Sequence, residues 1–460
     1  MSQRSTQLTP TTSLCPTCLE RVPGAYEARD DAVYLERSCP DHGTTSRKVW
    51  ESFDHWEWAS AFGPATESEP SEALTVDGEH ACLAVVEITQ DCNLSCSYCF
   101  ASSGPGGTHL PYEDVIDLLE TVQNEGGARP IQFSGGEPTV HPQLPALIHD
   151  AREMGFGHVE VNTNGITLAT QDGYAEQLAD AGVTAIYLQF DGLTRETYEA
   201  IRDADLLDIK HRALEACRRA DLPVILVPTI VPGTNDDEMG DVVRFALENL
   251  DVVRSVNFQP VAHFGRYETN EGRFSLDEAA RRVADQIESL EPRDFLPVPC
   301  CSSYCQLSTA VMPTGDGGVV PLTGLLDIDS WDTLTGLVDE ADWMELLAGT
   351  SAGAETVEIA SSCCGFDVPC GGTVLPVTLT GFMDADAADV NRLDNCCISV
   401  PTPNGDLVPF CAYNMTTEDG QYALRNRHGW GGRDGVETSG TSETCTSQPV
   451  QSTAANSEDD

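Results

Sequence analysis

The chain has 460 residues, with 74 Asp and Glu against 25 Lys and Arg, a formal net charge of −49 and 18 cysteines. A hydrophobic content of 40% excludes a protein that is disordered or fibrous as a whole, and the length predicts several domains of about 100–200 residues each. No apolar run reaches the about 18 residues that a membrane span needs, and residues 1–12 are polar. We therefore expect a cytoplasmic protein.

The excess of acidic residues is more informative about the salt concentration around the protein than about its binding partners. Lys48 and Lys210 are the only lysines, and every other basic side chain is an arginine. This composition resembles proteins of salt-accumulating halophiles, because a Debye length of about 3 Å at molar salt screens self-repulsion. An acidic partner-binding surface is the alternative. Nucleic acid is not expected as a partner, since phosphate contacts need clusters of Lys and Arg. Three arginines near the core could bind a phosphate or lie on the solvated surface: Arg202, Arg266 and Arg273.

Residues 1–62 are predicted to form a separate metal-binding module. LCPTC at 14–18 and CPDHG at 39–43 flank a segment that alternates like a strand, which is typical of two metal knuckles joined by a hairpin. One tetrahedral zinc or one mononuclear iron would be held by Cys15, Cys18, Cys39 and His42. His42 could instead cap a turn. Residues 63–80 are rich in Pro, Ser and Glu and are predicted to be a loose linker.

Residues 81–294 alternate strands and helices. Nearly continuous apolar segments separated by helical patterns predict a parallel sheet covered by helices, an α/β fold that fits a partial (β/α)6 TIM-like barrel. The strands are expected at 81–89, 130–138, 158–165, 185–192, 223–233 and 255–262, and the helices at 112–124, 142–155, 174–182, 208–221 and 237–250. Reactive groups in such folds lie at the carboxyl ends of the strands.

After residue 294 the periodicity weakens. Residues 295–415 are rich in Cys and Gly and are expected to be loop-like, whereas 416–460 is predicted to be an acidic disordered tail. Two further four-thiolate clusters would use eight of the nine cysteines in 295–415, with zinc as the alternative metal. At each adjacent pair we expect either one ligand and one bystander, or one ligand to each of two centres. The candidate ligands are Cys300, Cys301, Cys305, Cys363, Cys364, Cys370, Cys396 and Cys411.

The strongest chemical signal is DCNLSCSYCF at 91–100, directly after the first predicted strand. Cys92, Cys96 and Cys99 have the spacing C-x3-C-x2-C, and thiolates are the preferred ligands of iron–sulfur clusters. Three ligands leave one iron of a [4Fe–4S] cluster without a protein ligand, which suits the chelation of a small molecule. A zinc knuckle completed by a remote ligand is the alternative.

These residues resemble the radical S-adenosylmethionine (SAM) superfamily over about 81–262. The resemblance implies that the open iron binds SAM and that reductive cleavage yields a 5′-deoxyadenosyl radical. SGGEP at 134–138 matches the second motif of that superfamily, in which glycine backbone and a carboxylate approach the SAM ammonium group. The implied contacts are Gly135, Gly136 and Glu137, with Tyr98 beside the adenine or in the core. Further SAM or substrate contacts, with turn capping as the alternative, are Asn164, Gln189, Asp191 and Gln259.

The arrangement from about residue 14 to 415 is also similar to the archaeal tetraether lipid synthase group, whose relatives have been labelled pterin methyltransferase-like. That similarity implies one or two auxiliary [4Fe–4S] clusters in the C-terminal region. It further implies hydrogen abstraction from an unactivated C–H bond of isoprenoid lipid chains, with carbon–carbon coupling; a pterin or a peptide is the alternative substrate. A ferredoxin or flavodoxin-type donor would supply the electron. The sequence identifies no catalytic side chain.

Overall fold

An antiparallel sheet and a large mixed sheet carry the fold. The computed structural model describes residues 6–63, 75–76, 81–267, 273–298, 302–314, 318–323 and 374–425. Within these ranges, no helix combines the length and apolar character that a bilayer crossing requires.

The N-terminal module is a four-stranded antiparallel sheet followed by one helix. Its strands pair in chain order and are β1 (Thr6–Leu14), β2 (Arg21–Arg29), β3 (Ala32–Cys39) and β4 (Gly43–Trp50). The segment predicted to be a strand between the knuckles is β3. Helix α1 (Phe53–Ser60) follows, and the Ser52 side chain accepts from the His55 N–H at its start.

The central sheet contains the predicted parallel strands in their predicted positions. They are β5 (Leu83–Thr89), β6 (Ile131–Gly135), β7 (Val159–Thr163), β8 (Ala185–Gln189), β9 (Val224–Val227), the short β10 (Thr229–Ile230) and β11 (Val253–Pro260). Strands β5 to β9 pair in sequence order, and β11 pairs with β9, all in parallel. The parallel order of these strands, here the barrel sheet, confirms the α/β fold that the alternating pattern predicts.

Helices cover the outer face of this sheet. They are α2 (Tyr112–Asn124), α3 (Leu144–Glu153), α4 (Ile166–Thr170), α5 (Tyr174–Ala181), α6 (Arg195–Arg202), α7 (Leu207–Arg219), α8 (Met239–Glu248) and α9 (Leu276–Gln286), with 3-10 turns at Pro138–Val140 and Pro292–Asp294. In α2, Val115, Leu118, Leu119 and Val122 are buried at spacings of three and four residues, which places one apolar stripe on the sheet. The helices α4, α6 and α9 are not among the helices that the sequence predicts.

The C-terminal region departs from the loop-like expectation, because it extends both edges of the barrel sheet. Its elements are β12 (Leu296–Pro297), β13 (Gln306–Pro313), β14 (Val319–Pro321), β15 (Leu375–Thr380), α10 (Val390–Asp394), β16 (Ile398–Pro401), β17 (Leu407–Pro409) and α11 (Phe410–Asn414). Strand β15 adds in parallel to β11, and β16 adds in parallel to β5. The chain between β15 and β16 therefore spans the open side of the barrel.

Two segment boundaries expected from composition need correction. In the predicted linker, Val76 is buried and its N–H donates to the Leu407 carbonyl at 2.8 Å, so this part of the linker packs on the core. In the predicted tail, Thr416 is 2% exposed and Arg425 is 4% exposed. Polar composition alone gives the wrong prediction in both places, because a few contacts with the core are enough to hold a polar segment in place. Residues 426–460 lie outside the described residues.

Candidate metal centres and active-site cavity

The four ligands predicted in the N-terminal module converge on one point. One ligand atom each from Cys15, Cys18, Cys39 and His42 lies within 4.8 Å of all the others. The His42 Nδ1 atom is 3.6 Å from the Cys15 sulfur and 3.4 Å from the Cys39 sulfur. Three thiols and one imidazole in this arrangement fit a closed tetrahedral zinc site. The alternative in which His42 merely caps a turn is not supported by this convergence.

Residues 91–104, here the Cys loop, follow β5 and carry the other three-cysteine motif. The Cys92 N–H donates to the Gly104 carbonyl at 3.2 Å, which closes the loop. Cys99 and Arg266 exchange backbone hydrogen bonds of 2.9 and 3.0 Å. Among the described residues, only the N-terminal module brings three or more ligand atoms within 4.8 Å of one another. The three loop thiols are spread more widely, which suits a polynuclear cluster better than a single ion.

The thiols of the Cys loop are partly withdrawn from water. Burial raises the pKa of the Cys92 thiol to about 12, and burial also raises the pKa of Cys96. Without a metal these thiols stay protonated at neutral pH, because the thiolate is the disfavoured form in an apolar setting. Ligation of iron would therefore release protons, as expected for cysteine ligands.

The glycines of SGGEP allow the turn after β6 to lie against the start of the Cys loop. Gly135 has φ +124°, and a Cβ atom there would be 2.2 Å from the Thr89 carbonyl oxygen. A Cβ atom at Gly136 would be 2.2 Å from the Asp91 carbonyl oxygen. The Gly136 N–H donates to the Thr89 carbonyl at 2.7 Å. Because a Cβ atom at either position would collide with the backbone of residues 89–91, only glycine fits this contact.

The Glu137 side chain is buried between the ends of β6 and β7. Its Oε1 atom accepts from the hydroxyls of Thr139 and Thr163, both at 2.6 Å, and its Oε2 atom accepts from the Asn164 N–H at 2.7 Å. Burial raises the pKa of Glu137, while these donors oppose the shift. The carboxylate thus joins two strand ends beside the Cys loop; its contact with the SAM ammonium stays a prediction.

Asn164 combines the predicted capping role with a contact to the Cys loop. Its Oδ1 atom accepts from the Ile166 N–H at 3.0 Å, and its Nδ2 atom donates to Asn93 at 2.7 Å. Asn164 therefore links the end of β7 to the loop that carries the cysteines. A direct role in binding SAM remains a prediction for this residue.

Asp191, a candidate ligand contact, lies in a buried ion pair. Both carboxylate oxygens accept from Arg202 at 2.7 Å, and Oδ1 also accepts from the Thr229 N–H at 3.1 Å. Arg202 in turn donates to the Tyr98 carbonyl at 3.1 Å. Arg202 is therefore not a solvated surface residue, and the pair braces the Cys loop against β8. Arg266 is also engaged, with Nε donating to the Cys96 carbonyl at 2.5 Å.

No sequence pattern predicts a buried lysine beside this pair. Lys210 on α7 has no exposed surface, and its Nζ atom donates to the Asn164 carbonyl at 2.6 Å and to Gln189 Oε1 at 2.8 Å. Burial lowers the pKa of Lys210 to about 7. The Lys210 amine on α7 therefore links the end of β7 to the end of β8.

A cavity of about 180 Å³ opens at the carboxyl ends of the strands. Its polar floor consists of inward-facing strand residues, namely Gln132, Asn162, Tyr187, Asn257, Gln259 and Thr380. Its apolar wall comes from β5, the segment after β11 and the C-terminal region, namely Leu83, Val85, Phe264, Phe382, Ile398 and Phe410. Tyr98 and Cys99 of the Cys loop also line it. The cavity therefore places the candidate cluster next to a space for substrate.

The predicted site residues divide into two groups around this cavity. Gln189 and Gln259 line it directly, as does Tyr98. Gly135, Gly136, Glu137, Asn164 and Asp191 instead hold the strand ends and the Cys loop in place. Tyr187 and Asn257 were missed, although each lies two residues before a predicted glutamine and thus on the same strand face.

The C-terminal cysteines do not form a compact group in the described residues. The Cys305 sulfur accepts from Arg392 Nη2 at 3.1 Å, and the Cys411 sulfur accepts from the Met383 N–H at 3.4 Å. Cys396 donates to the Ile398 carbonyl at 3.3 Å. The other five candidates lie outside the described residues: Cys300, Cys301, Cys363, Cys364 and Cys370. Auxiliary clusters therefore remain a prediction.

Comparison with known proteins gives the class to which this site belongs. A family model described as "Radical SAM superfamily" matches residues 86–246, and one described as "HMPTM N-terminal zinc ribbon domain" matches residues 7–51. The protein is a radical SAM enzyme, which implies a [4Fe–4S] cluster that binds SAM, and its N-terminal module is a zinc ribbon.

The particular family follows from one relative that spans almost the whole chain. The 7,8-dihydro-6-hydroxymethylpterin dimethyltransferase of Methanocaldococcus jannaschii is 31% identical over 471 residues, covering 88% of this chain and 93% of that protein. The chain belongs to the family of that protein. The GTP 3′,8-cyclase of Chlorobaculum tepidum is 32% identical over 211 residues, covering 45% of this chain and 62% of the cyclase.

Among solved structures, SuiB of Streptococcus suis bound to S-adenosylmethionine is similar with a TM-score of 0.39 and 16% identity. That match covers 44% of this chain and 46% of SuiB. The expected membership in the radical SAM superfamily is confirmed by the family model. The relative that spans the chain carries the name of a pterin enzyme, however, and not of the lipid synthase group that the sequence suggested.

Proposed function

We propose that this enzyme acts on a reduced pterin, in which one hydrogen atom of a C–H bond is transferred to the 5′-deoxyadenosyl radical as 5′-deoxyadenosine forms. The observation that carries the proposal is the full-length similarity to a protein named as a pterin dimethyltransferase. When bound, a reduced [4Fe–4S] cluster with SAM supplies a 5′-deoxyadenosyl radical for hydrogen abstraction. The chain's own residues would then bind and orient the substrate.

The polar floor supports a flat, nitrogen-rich substrate. Gln132 Nε2 donates to the Glu160 carboxylate at 2.9 Å, and Gln259 Nε2 donates to the Tyr187 hydroxyl at 2.8 Å. These contacts use one N–H of each amide group and orient the amide oxygens, which can accept from a ligand. A pterin offers ring N–H and amino donors that such oxygens can bind.

The floor is also held in a fixed arrangement. Asn257 Nδ2 donates to the Tyr187 hydroxyl at 2.6 Å, and Asn257 Oδ1 accepts from the Thr380 hydroxyl at 2.9 Å. Asn257 is 2% exposed. Buried polar networks that are satisfied in this way keep their geometry, so little rearrangement is needed when a ligand binds.

The apolar wall is also compatible with a second candidate, the isoprenoid chain implied by the tetraether synthase resemblance. Phe382 and Phe410 lie with ring centroids 5.0 Å apart, and Phe100 lies 5.6 Å from Phe410. These rings could pack against an alkyl chain. The same rings can equally cover one face of a pterin, so the wall alone does not favour the lipid over the pterin.

The proposal is tested with the purified enzyme, reconstituted with iron and sulfide under anaerobic conditions and supplied with SAM and dithionite. We expect 7,8-dihydro-6-hydroxymethylpterin to increase 5′-deoxyadenosine formation and to be consumed, both measured by liquid chromatography and mass spectrometry. An archaeal diether lipid in mixed micelles is assayed in parallel. Conversion of the lipid, with no change in the pterin, would contradict the proposal and support the second candidate.

Two matched variants sharpen this test. Gln259→Leu removes an acceptor from the floor, so the KM for the pterin should rise by about 10-fold, the effect of about 1.4 kcal/mol. Phe382→Gln changes only the wall and should impair the lipid reaction if that reaction exists. SAM cleavage without substrate serves as the reference for both variants.

The remaining cofactors and partners are part of the same proposal. Zinc in the ribbon would be structural, since four protein ligands leave no open position. The auxiliary clusters would be held by the C-terminal cysteines, and a ferredoxin or flavodoxin-type protein would donate the electron. Metal analysis of the reconstituted enzyme tests both metal assignments, with about one zinc and more than four irons per chain expected.

A further inference from the structure

Residues 415–425, here the C-terminal hairpin, fold back over the Cys loop. The Ala423 N–H donates to the Met415 carbonyl at 3.1 Å, and Thr416 pairs with Tyr422 as an antiparallel bridge. This segment lies far outside residues 86–246, the part of the chain that matches the superfamily. Its contacts are nevertheless made with residues directly beside the cluster ligands.

Tyr422 binds the turn that follows Cys99. Its hydroxyl donates to the Phe100 carbonyl at 2.6 Å and lies 3.2 Å from the Ser102 hydroxyl. Gly265 completes this contact, because a Cβ atom there would lie 2.4 Å from the Tyr422 hydroxyl and 2.7 Å from the Cys99 carbonyl oxygen. Three separate parts of the chain therefore meet at the third cluster ligand, at a distance that only glycine permits.

Arg425 brings a buried positive charge to the same place. Its Nη2 atom donates to Glu87 Oε2 at 2.7 Å, and its Nη1 atom donates to Asn414 Oδ1 at 2.6 Å. The guanidinium lies 5.3 Å from the ring centroids of both Tyr413 and Tyr422. Glu87 is 3% exposed and lies on β5, the strand that leads into the Cys loop. The ion pair is thus shielded from water and from screening salt.

We infer that the C-terminal hairpin is part of the SAM-cluster site: Tyr422 positions the Cys99 turn, and the Arg425–Glu87 pair sets the local charge that the cluster experiences. Reduction adds one negative charge to a cluster, and nearby fixed charges change its potential. A buried cation stabilises the reduced form, and a buried anion destabilises it. The inference holds for either candidate substrate, so failure of the pterin proposal leaves it intact.

The test measures the midpoint potential of the reconstituted cluster by redox titration followed with electron paramagnetic resonance. Arg425→Gln leaves the negative charge of Glu87 unbalanced, so the potential should become more negative than in the wild type. Glu87→Gln leaves the positive charge of Arg425, so the potential should become more positive. The double variant should lie between the two single variants. A general loss of packing would not produce shifts of opposite sign.

Equal potentials in Glu87→Gln and wild type, or shifts of the same sign in both single variants, would overturn the charge role. If Arg425→Gln does not retain a cluster, the sign of the shift in the nearly isosteric Glu87→Gln variant decides alone. Tyr422 is tested separately by the rate of cluster loss to a chelator. Tyr422→Phe should lose iron several-fold faster than wild type, whereas Gln421→Ala, at an exposed position of the same hairpin, should not; equal rates would overturn the positioning role.

Discussion

The zinc ribbon and the Cys loop both collect cysteines, but different parts of the fold hold them. In the ribbon, short local turns place the ligands: the Cys15 N–H donates to Glu20 at 2.9 Å, and the Leu19 N–H donates to Cys15 at 2.8 Å. In the Cys loop, the bracing comes from residues far along the chain, namely Arg202, Arg266 and Tyr422.

This difference indicates which site depends on the rest of the molecule. Local knuckles with four donors can form around an ion as soon as it binds, since zinc binding and local folding are coupled. A three-donor site braced by remote side chains needs the finished barrel. The incomplete ligand set, which makes the loop reactive, therefore needs more support from the fold than the complete set of the ribbon.

The largest expected effect is on radical formation. Cys96→Ala leaves two ligands in the Cys loop, so the cluster should be lost and SAM-dependent formation of 5′-deoxyadenosine should fall below detection. The measurement is chromatography of the deoxyadenosine together with iron analysis. Cys217→Ala, which removes a thiol from the apolar core, is the control and should keep both. Normal deoxyadenosine formation by Cys96→Ala would refute the assignment of the loop.

Loss of a ribbon ligand should instead remove the zinc and leave deoxyadenosine formation intact. Cys39→Ser should release the zinc and expose the ribbon to protease, because structural zinc sites contribute about 10 kcal/mol in isolated modules. SAM cleavage should persist. The measurements are zinc content, limited proteolysis and deoxyadenosine formation, with Ser38→Ala at the exposed neighbouring position as the control. If Cys39→Ser abolished SAM cleavage while the barrel stayed folded, the two centres would not be independent.

A smaller effect, on the free energy of unfolding, is expected when the Asp191–Arg202 ion pair beside the Cys loop is broken. Asp191→Asn leaves the Arg202 guanidinium buried without a counter-ion, which should reduce the free energy of unfolding by about 3–5 kcal/mol. Asp205→Asn removes the partner of Arg195 from an exposed pair and should cost at most about 1 kcal/mol. Denaturant unfolding in concentrated salt measures both. Equal losses in the two variants would mean that the Asp191 pair is not a buried brace.

The smallest effect per step is a pH dependence caused by Lys210, which accumulates gradually over several pH units. Burial lowers the pKa of its amine from 10.5 to about 7, so the unfolded chain binds the extra proton between these values. The free energy of unfolding should therefore rise with pH in this window, by about 1.4 kcal/mol per pH unit from this group. Lys210→Met should remove this slope. Parallel pH profiles of the variant and wild type would show that the amine keeps its proton in the folded chain.

Much of the barrel and both cysteine motifs could be predicted from the sequence. The apolar run of β5 is buried on both faces, and helix α2 matches its predicted bounds, because periodicity reports burial directly. Ligand spacing also indicated the ribbon, since a CPxC turn brings its two thiols together without help from the rest of the fold.

The remainder depends on contacts between distant parts of the chain. Strand β15 is only six residues long and contains a proline, so its sequence resembles a loop, although all of its residues are buried. The C-terminal hairpin is polar, yet Arg425 and Tyr422 hold it in place through a few hydrogen bonds to residues far away in the sequence. No local sequence pattern predicts such bonds, and none predicts which substrate the cavity floor binds.

The complete burial of Lys210 has a practical consequence in a chain with two lysines. Lys48 has a side chain that is 43% exposed, so an acylating reagent would find one lysine amine on the native surface. Attachment of a second label to lysine then requires that α7 separate from β7 and β8. Counting labels per molecule by mass spectrometry over time would thus give the rate at which the barrel opens, without any introduced probe.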